Sequence, residues 1–159
     1  MFDKAIQVSH PSNIMKKYIP EREPSGKVVV VGAGKGSAEM ARAYEEAWYK
    51  KGYKELSGLV ITRYGHKKEC KNIKIIEASH PVPDEAGLKA TMEVIKLIKT
   101  LKKEDLLVVL MSGGGSSLLV APIDGISLLE KQELTNSLLK CGASISEINS
   151  VRKHLSKVK

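Results

Sequence analysis

Residues 106–117 read LLVVLMSGGGSS, and this stretch decides the fold. Six uncharged apolar residues, 106–111, are the pattern of a strand buried on both faces in a parallel sheet covered by helices. The run stops at Ser112, Gly113, Gly114, Gly115, Ser116 and Ser117. Three successive glycines permit a sharp turn and close approach of backbone to a ligand, while the serines add hydroxyls. At the C-terminal edge of a parallel sheet, such a turn offers N–H groups to an anion. Serine and glycine are also ordinary turn residues, so a purely structural corner is the competing reading. Residues 27–38, KVVVVGAGKGSA, repeat the device: a β-branched run, then Gly32, Gly34 and Gly36, then a helix.

Outward from these two junctions, strands and helices alternate. Apolar residues at helical spacing, broken by His10-Pro11, predict one or two leading helices packed on the sheet over residues 1–19. PEREPSG, 20–26, is a linker. Strands are predicted at 28–31, 59–62, 73–78 and 106–111, and helices at 37–51 and 86–101. The second of these is expected to bury Leu88, Met92, Ile95, Leu97 and Ile98. Ser127 and Glu130 form a capping box opening a helix to about residue 140, and Gly142 ends it. Ser144 and Glu147 form a second box, after which Ile148, Val151, Leu155 and Val158 continue a helical stripe to the end. That alternation predicts an α/β fold: a Rossmann-like parallel sheet of about four strands with right-handed crossovers. One domain, 1–159, is expected, incomplete at its C-terminus, because the last helix has a start signal but no stop. Loops 32–36, 79–84 and 112–117 all follow strands and are expected on one edge of the sheet.

Composition narrows the function classes. Aromatics make up 4% of the chain, so the core is aliphatic. Lys and Arg exceed Asp and Glu by 26 to 18, a net charge of +8. The basic residues are scattered and not interleaved with aromatics, which disfavours nucleic acid and fits a solvated surface or an anionic substrate. Cys70 and Cys141 stand apart, as reduced packing residues of a cytoplasmic protein do. The four histidines lack metal-ligand spacing. No apolar run approaches the roughly 18 residues of a membrane span, and the N-terminus lacks a signal pattern.

Neither glycine junction matches a standard nucleotide fingerprint. A dinucleotide turn wants Gly-x-Gly-x-x-Gly, whereas Gly32, Gly34 and Gly36 alternate and Ser37 follows; a P-loop wants Ser or Thr after its lysine, whereas Gly36 follows Lys35. What remains is a lysine in a tight glycine turn ahead of a helix, where an ammonium can neutralise charge developing in phosphoryl transfer. A solvated surface lysine is the alternative. His80 sits at a strand end as a general base, a ligand contact or a structural histidine. Asp84 is first a helix cap, and Asn149 and Arg152 lie three apart on one helix face. The metal ligands, if any, are not legible.

Taken together, GAGKGSAEMA (32–41), SHPVPDEAG (79–87), LMSGGGSSLL (110–119) and EINSVRKHLS (147–156) resemble the glycerate 2-kinase family, in order and over nearly the whole chain. This resemblance implies a Rossmann-like N-terminal domain paired with a separate C-terminal one. It implies phosphorylation of D-glycerate to 2-phosphoglycerate with ATP and Mg²⁺. It makes Lys35 the active-site lysine and lines the cleft with the Ser112–Ser117 turn and the His80 loop, with Asp84, Asn149 and Arg152 on the substrate side. Members of that family are much longer, and an arginine of the C-terminal domain is absent here, so the isolated chain is expected to be inactive. Two alternatives stay open: an NAD(P)H-dependent hydroxypyruvate reductase, and a non-catalytic nucleotide- or sugar-phosphate-binding module. Expected partners are glycerate and ATP, with a homodimer of the full-length protein and neither nucleic acid nor membrane.

Overall fold

A computed structural model describes residues 2–159. Its centre is a four-stranded sheet, β1 (Val28–Ala33), β2 (Ser57–Arg63), β3 (Ile73–Ala78) and β4 (Leu106–Met111), in the order β3-β2-β1-β4 and parallel throughout. The α/β fold with a parallel sheet is therefore as the alternation predicts. Helices α3 (Ser37–Lys50) and α4 (Glu85–Lys99) are the crossovers.

Period-two alternation divides the strands between two cores. Val28 and Val30 join Val60, Ile73 and Leu110 beneath α3, packed on Ala38, Ala41, Tyr44 and Trp48. Val29, Val31 and Ala33 join Leu59 and Ile61 beneath α4, packed on Ala90 and Val94. Trp48 is wholly buried, stacks on Tyr44, and donates its indole N–H to Lys54 O at 2.7 Å. Thus the largest ring leaves no unsatisfied polar atom.

Several expectations need correction. Only β1 is buried along its whole length. β4 lies at the sheet edge, with Val109 55% and Met111 47% exposed, because it has one strand neighbour and no helix over its outer side chains. β1 runs on to Ala33, so Gly32 is a strand residue rather than the start of the turn. On α4 the buried residues are Gly87, Ala90, Thr91 and Val94; the small ones let the helix approach the sheet, and Met92 turns outward at 44% exposure. Helix α1 (Phe2–Ser9) buries nothing. The break at His10-Pro11 starts α2 (Pro11–Ile14); Met15, in a 3₁₀ turn, and Ile19 are buried in the core, and Ile14 packs against it partly buried. Cys70 packs against that core, and burial pushes its thiol up to about 12, whereas Cys141 is exposed.

The C-terminal third is α5 (Gly115–Leu118), α6 (Leu128–Lys140) and α7 (Ile145–His154). Both capping boxes form, at Ser127/Glu130 and Ser144/Glu147. The helical stripe does not continue to Val158. α7 stops at His154, since Ser156 bridges antiparallel to Pro122 and the Lys157 N–H donates to Ala121 O at 2.9 Å. No helix among the described residues is long and apolar enough to cross a membrane.

Candidate functional site

Strand order positions the site. From β1 the chain moves outward through β2 and β3, then returns to the other side of β1 for β4. The order reverses between β1 and β4, and open α/β sheets hold ligands beyond the C-terminal ends of the strands at such a reversal. Both glycine-rich turns lie there, after Ala33 and after Met111.

The two turns are sewn together. Lys35 donates its N–H to Gly113 O at 2.9 Å, and Ser112 donates its N–H to Ala33 O at 3.2 Å. Ser112 Oγ accepts the Gly36 N–H at 2.9 Å and lies 3.1 Å from Ser37 Oγ, which donates to Leu110 O. Ser112 and Ser117 therefore brace the turn: Ser117 is buried and its hydroxyl donates to Gly114 O at 3.1 Å. Ser116 stays partly exposed. The N–H groups of Gly113 and Gly114 donate to no protein acceptor among the described residues. Gly34 is held from the β2 side, its N–H on Ile61 O and its carbonyl accepting from Thr62 Oγ1.

Gly114 (φ +88°) is where three parts meet: a Cβ there would lie 2.7 Å from His80 Nε2 and 3.2 Å from Lys35 Cγ. Only glycine fits this left-handed, crowded position. A Cβ on Gly113 would sit 3.8 Å from Lys35 Cε, so the lysine stem runs along the turn. Lys35 is exposed. Burial holds the His80 imidazole below its ordinary value, and Lys35, Arg63 and Arg152 push it further down. At neutral pH it is an uncharged ring able to accept a proton.

The remaining sequence candidates lie differently. Asp84 caps α4, accepting the Gly87 N–H at 2.9 Å on one oxygen and the Tyr64 hydroxyl at 2.7 Å on the other. Asn149 is exposed on α7; Arg152 is half-buried, its charge felt at His80. Gly32 is enclosed in the sheet and Gly36 precedes α3, so these two shape the turn. Sequence reasoning missed Gln132, which donates to Pro83 O at 2.7 Å and ties α6 to the His80 loop, and Lys131, buried at 3% exposure. No local pattern marks either. No three of His, Cys, Asp and Glu gather among the described residues, so these side chains build no closed metal cage; a Mg²⁺ travelling with the phosphates of ATP needs only one or two carboxylates.

Residues 1–159 match a domain family described as a domain of unknown function, DUF4147. The chain is 48% identical over its whole length to a protein of Agrobacterium vitis named "Putative hydroxypyruvate reductase", covering 35% of it. It is 45% identical over 157 residues to the D-glycerate 2-kinase of Thermotoga maritima, covering 98% of this chain and 37% of that one. A crystal structure of a glycerate kinase from Thermotoga maritima superposes with a TM-score of 0.82 at 42% identity, covering 99% of this chain and 37% of that one. The chain thus spans about a third of the length of the curated relatives it matches.

Proposed function

The chain belongs to the DUF4147 family, and from that premise we propose that it forms one wall of the active site of a glycerate 2-kinase. The reaction is transfer of the terminal phosphoryl group of ATP to the 2-hydroxyl of D-glycerate, giving ADP and 2-phosphoglycerate. What carries this reading is the convergence of Lys35, His80 and the Gly113–Gly114 turn at the β1/β4 reversal.

Each group has a role its position supports. The Gly113 and Gly114 N–H groups point to no protein acceptor and suit phosphate oxygens. The Lys35 ammonium neutralises charge on the phosphoryl group as it moves. His80, uncharged, accepts the proton of the attacking hydroxyl as the new oxygen–phosphorus bond forms and the bond to ADP breaks. The remaining length of such an enzyme would supply the facing wall.

A second reading has one observation behind it, the name of the Agrobacterium relative. Against a nicotinamide cofactor stands the spacing of Gly32, Gly34 and Gly36; a β2 that ends in Thr62-Arg63 offers no carboxylate for the ribose of NADH, while Arg63 suits the 2′-phosphate of NADPH, the cofactor to test. Parallel assays of the full-length protein separate the readings. With ATP and D-glycerate, ADP release is expected; with NADPH and hydroxypyruvate, no oxidation. Oxidation of NADPH without ADP release would overturn the kinase reading.

A further inference from the structure

The strongest unexplained feature lies beside the same turn. Lys131, on α6, is 3% exposed, yet its Nζ meets a single carbonyl, Leu155 O, at 2.6 Å. Arg152, on α7, is half-buried, and its guanidinium makes neither a side-chain hydrogen bond nor an ion pair among the described residues. Lys159 reaches back to donate to Ser116 O, on the 112–117 turn. The Lys131–Leu155 hydrogen bond docks α6 on the end of α7, three residues past Arg152, and the Pro122–Ser156 bridge and the Lys157–Ala121 hydrogen bond turn the segment carrying Lys159 back against the chain following α5. The ion pairs among the described residues involve none of these three; they are made by Arg42, Lys68, Lys74 and Lys157. Buried cations are ordinarily paired, because withdrawing them from water is costly.

We infer that Lys131, Arg152 and Lys159 form an oxyanion subsite that takes a carboxylate or phosphate group of the ligand held at the Lys35–His80 cleft. This rests on the reading of that cleft as a substrate site and extends it to α6 and α7. Mutual repulsion supports the grouping. Desolvation by the surrounding chain holds the Lys131 and Lys159 ammonium groups below the ordinary lysine value, and the charge of Arg152 pushes both further down. The Lys159–Ser116 contact sets the cluster beside the cleft, two residues along the turn from Gly114, where His80 and Lys35 converge. A guanidinium presents a planar fork suited to two oxygens of one anion, and the ammonium of Lys159 can leave the Ser116 carbonyl for a third.

Calorimetric titration of this chain with D-glycerate and, separately, with ATP at constant ionic strength tests the subsite. Arg152→Gln is expected to weaken at least one ligand by about tenfold, as loss of a charge-assisted hydrogen bond does. Lys159→Gln, at an exposed position, is expected to weaken the same ligand by about threefold, and the remote Lys99→Gln to change neither. Weakening of glycerate alone identifies the carboxylate; weakening of ATP alone identifies a phosphate. Unchanged affinities in both cluster variants, with thermal melts matching the wild type, overturn the inference, as does absence of binding to the wild type. Weakened binding here, with no ADP release from ATP and D-glycerate by the full-length protein, would fail the kinase reading alone, and ADP release by the full-length protein with unchanged affinities here would fail the subsite alone.

Discussion

β1 and β4 run side by side, in register from Val28 against Leu106 to Ala33 against Met111, and each ends in a glycine-rich turn. β1 is buried at all six positions, whereas β4 leaves Val109 and Met111 facing out. Two uncharged apolar strands thus do different work. β1 holds the sheet together, with a neighbour on each side and a helix on each face. β4 is anchored along one edge and serves to aim the 112–117 turn at the turn of β1. Apolar sequence reports what a strand tolerates, not how many neighbours it has.

The sharpest way to break this pairing is at Gly32. A Cβ there would meet Leu110 O at 2.2 Å, driving β1 and β4 apart. Gly32→Ala is expected to cost about 3 kcal/mol, read as a lowered urea midpoint, and to unseat both turns. Next is Val30→Ala, at a position with no exposure, where about 2 kcal/mol is expected from lost contacts and the cavity left. Gly114→Ala should cost about 1 kcal/mol for forcing a side chain into the left-handed region, and should shift the His80 ring signals in an NMR spectrum. Val109→Lys, on the outer face of β4, is expected to change stability by less than about 0.5 kcal/mol and to raise solubility, since a charge protects an open edge. Equal costs at Val30 and Val109 would contradict the contrast between the two strands.

The smallest effect is that of pH at His80. Its folded-state value lies below the ordinary 6.5, so the unfolded chain binds the proton more readily. Stability is therefore expected to fall as pH drops below 6.5 and to level off once the folded ring is protonated too. His80→Gln should flatten that part of the pH–stability curve; an unchanged curve would place the titration elsewhere.

Legibility followed locality. The bounds of β3 and β4 and both capping boxes were readable, because strand runs and Ser-x-x-Glu caps act within a few residues. The convergence of the three loops followed from strand direction. Strand order was not readable, and with it the edge position of β4 and the reversal that locates the cleft. The end of α7 was missed because a distant partner, Pro122, sets it. Burial of Lys131 was missed for the same reason: nothing near it in sequence announces Leu155 O. Serines 112 and 117 read as ligand donors and turned inward, since satisfying the backbone of a tight turn claims their hydroxyls first.

The most direct test of the account is Lys35→Ala in the full-length protein, followed by ADP release from ATP and D-glycerate. The expected result is a kcat lowered by about 10² or more with the melting temperature unchanged, because the ammonium acts on charge that develops during transfer and stands exposed in the fold. Retention of wild-type ADP release in that variant would contradict the proposal that the β1/β4 reversal is a phosphoryl-transfer site.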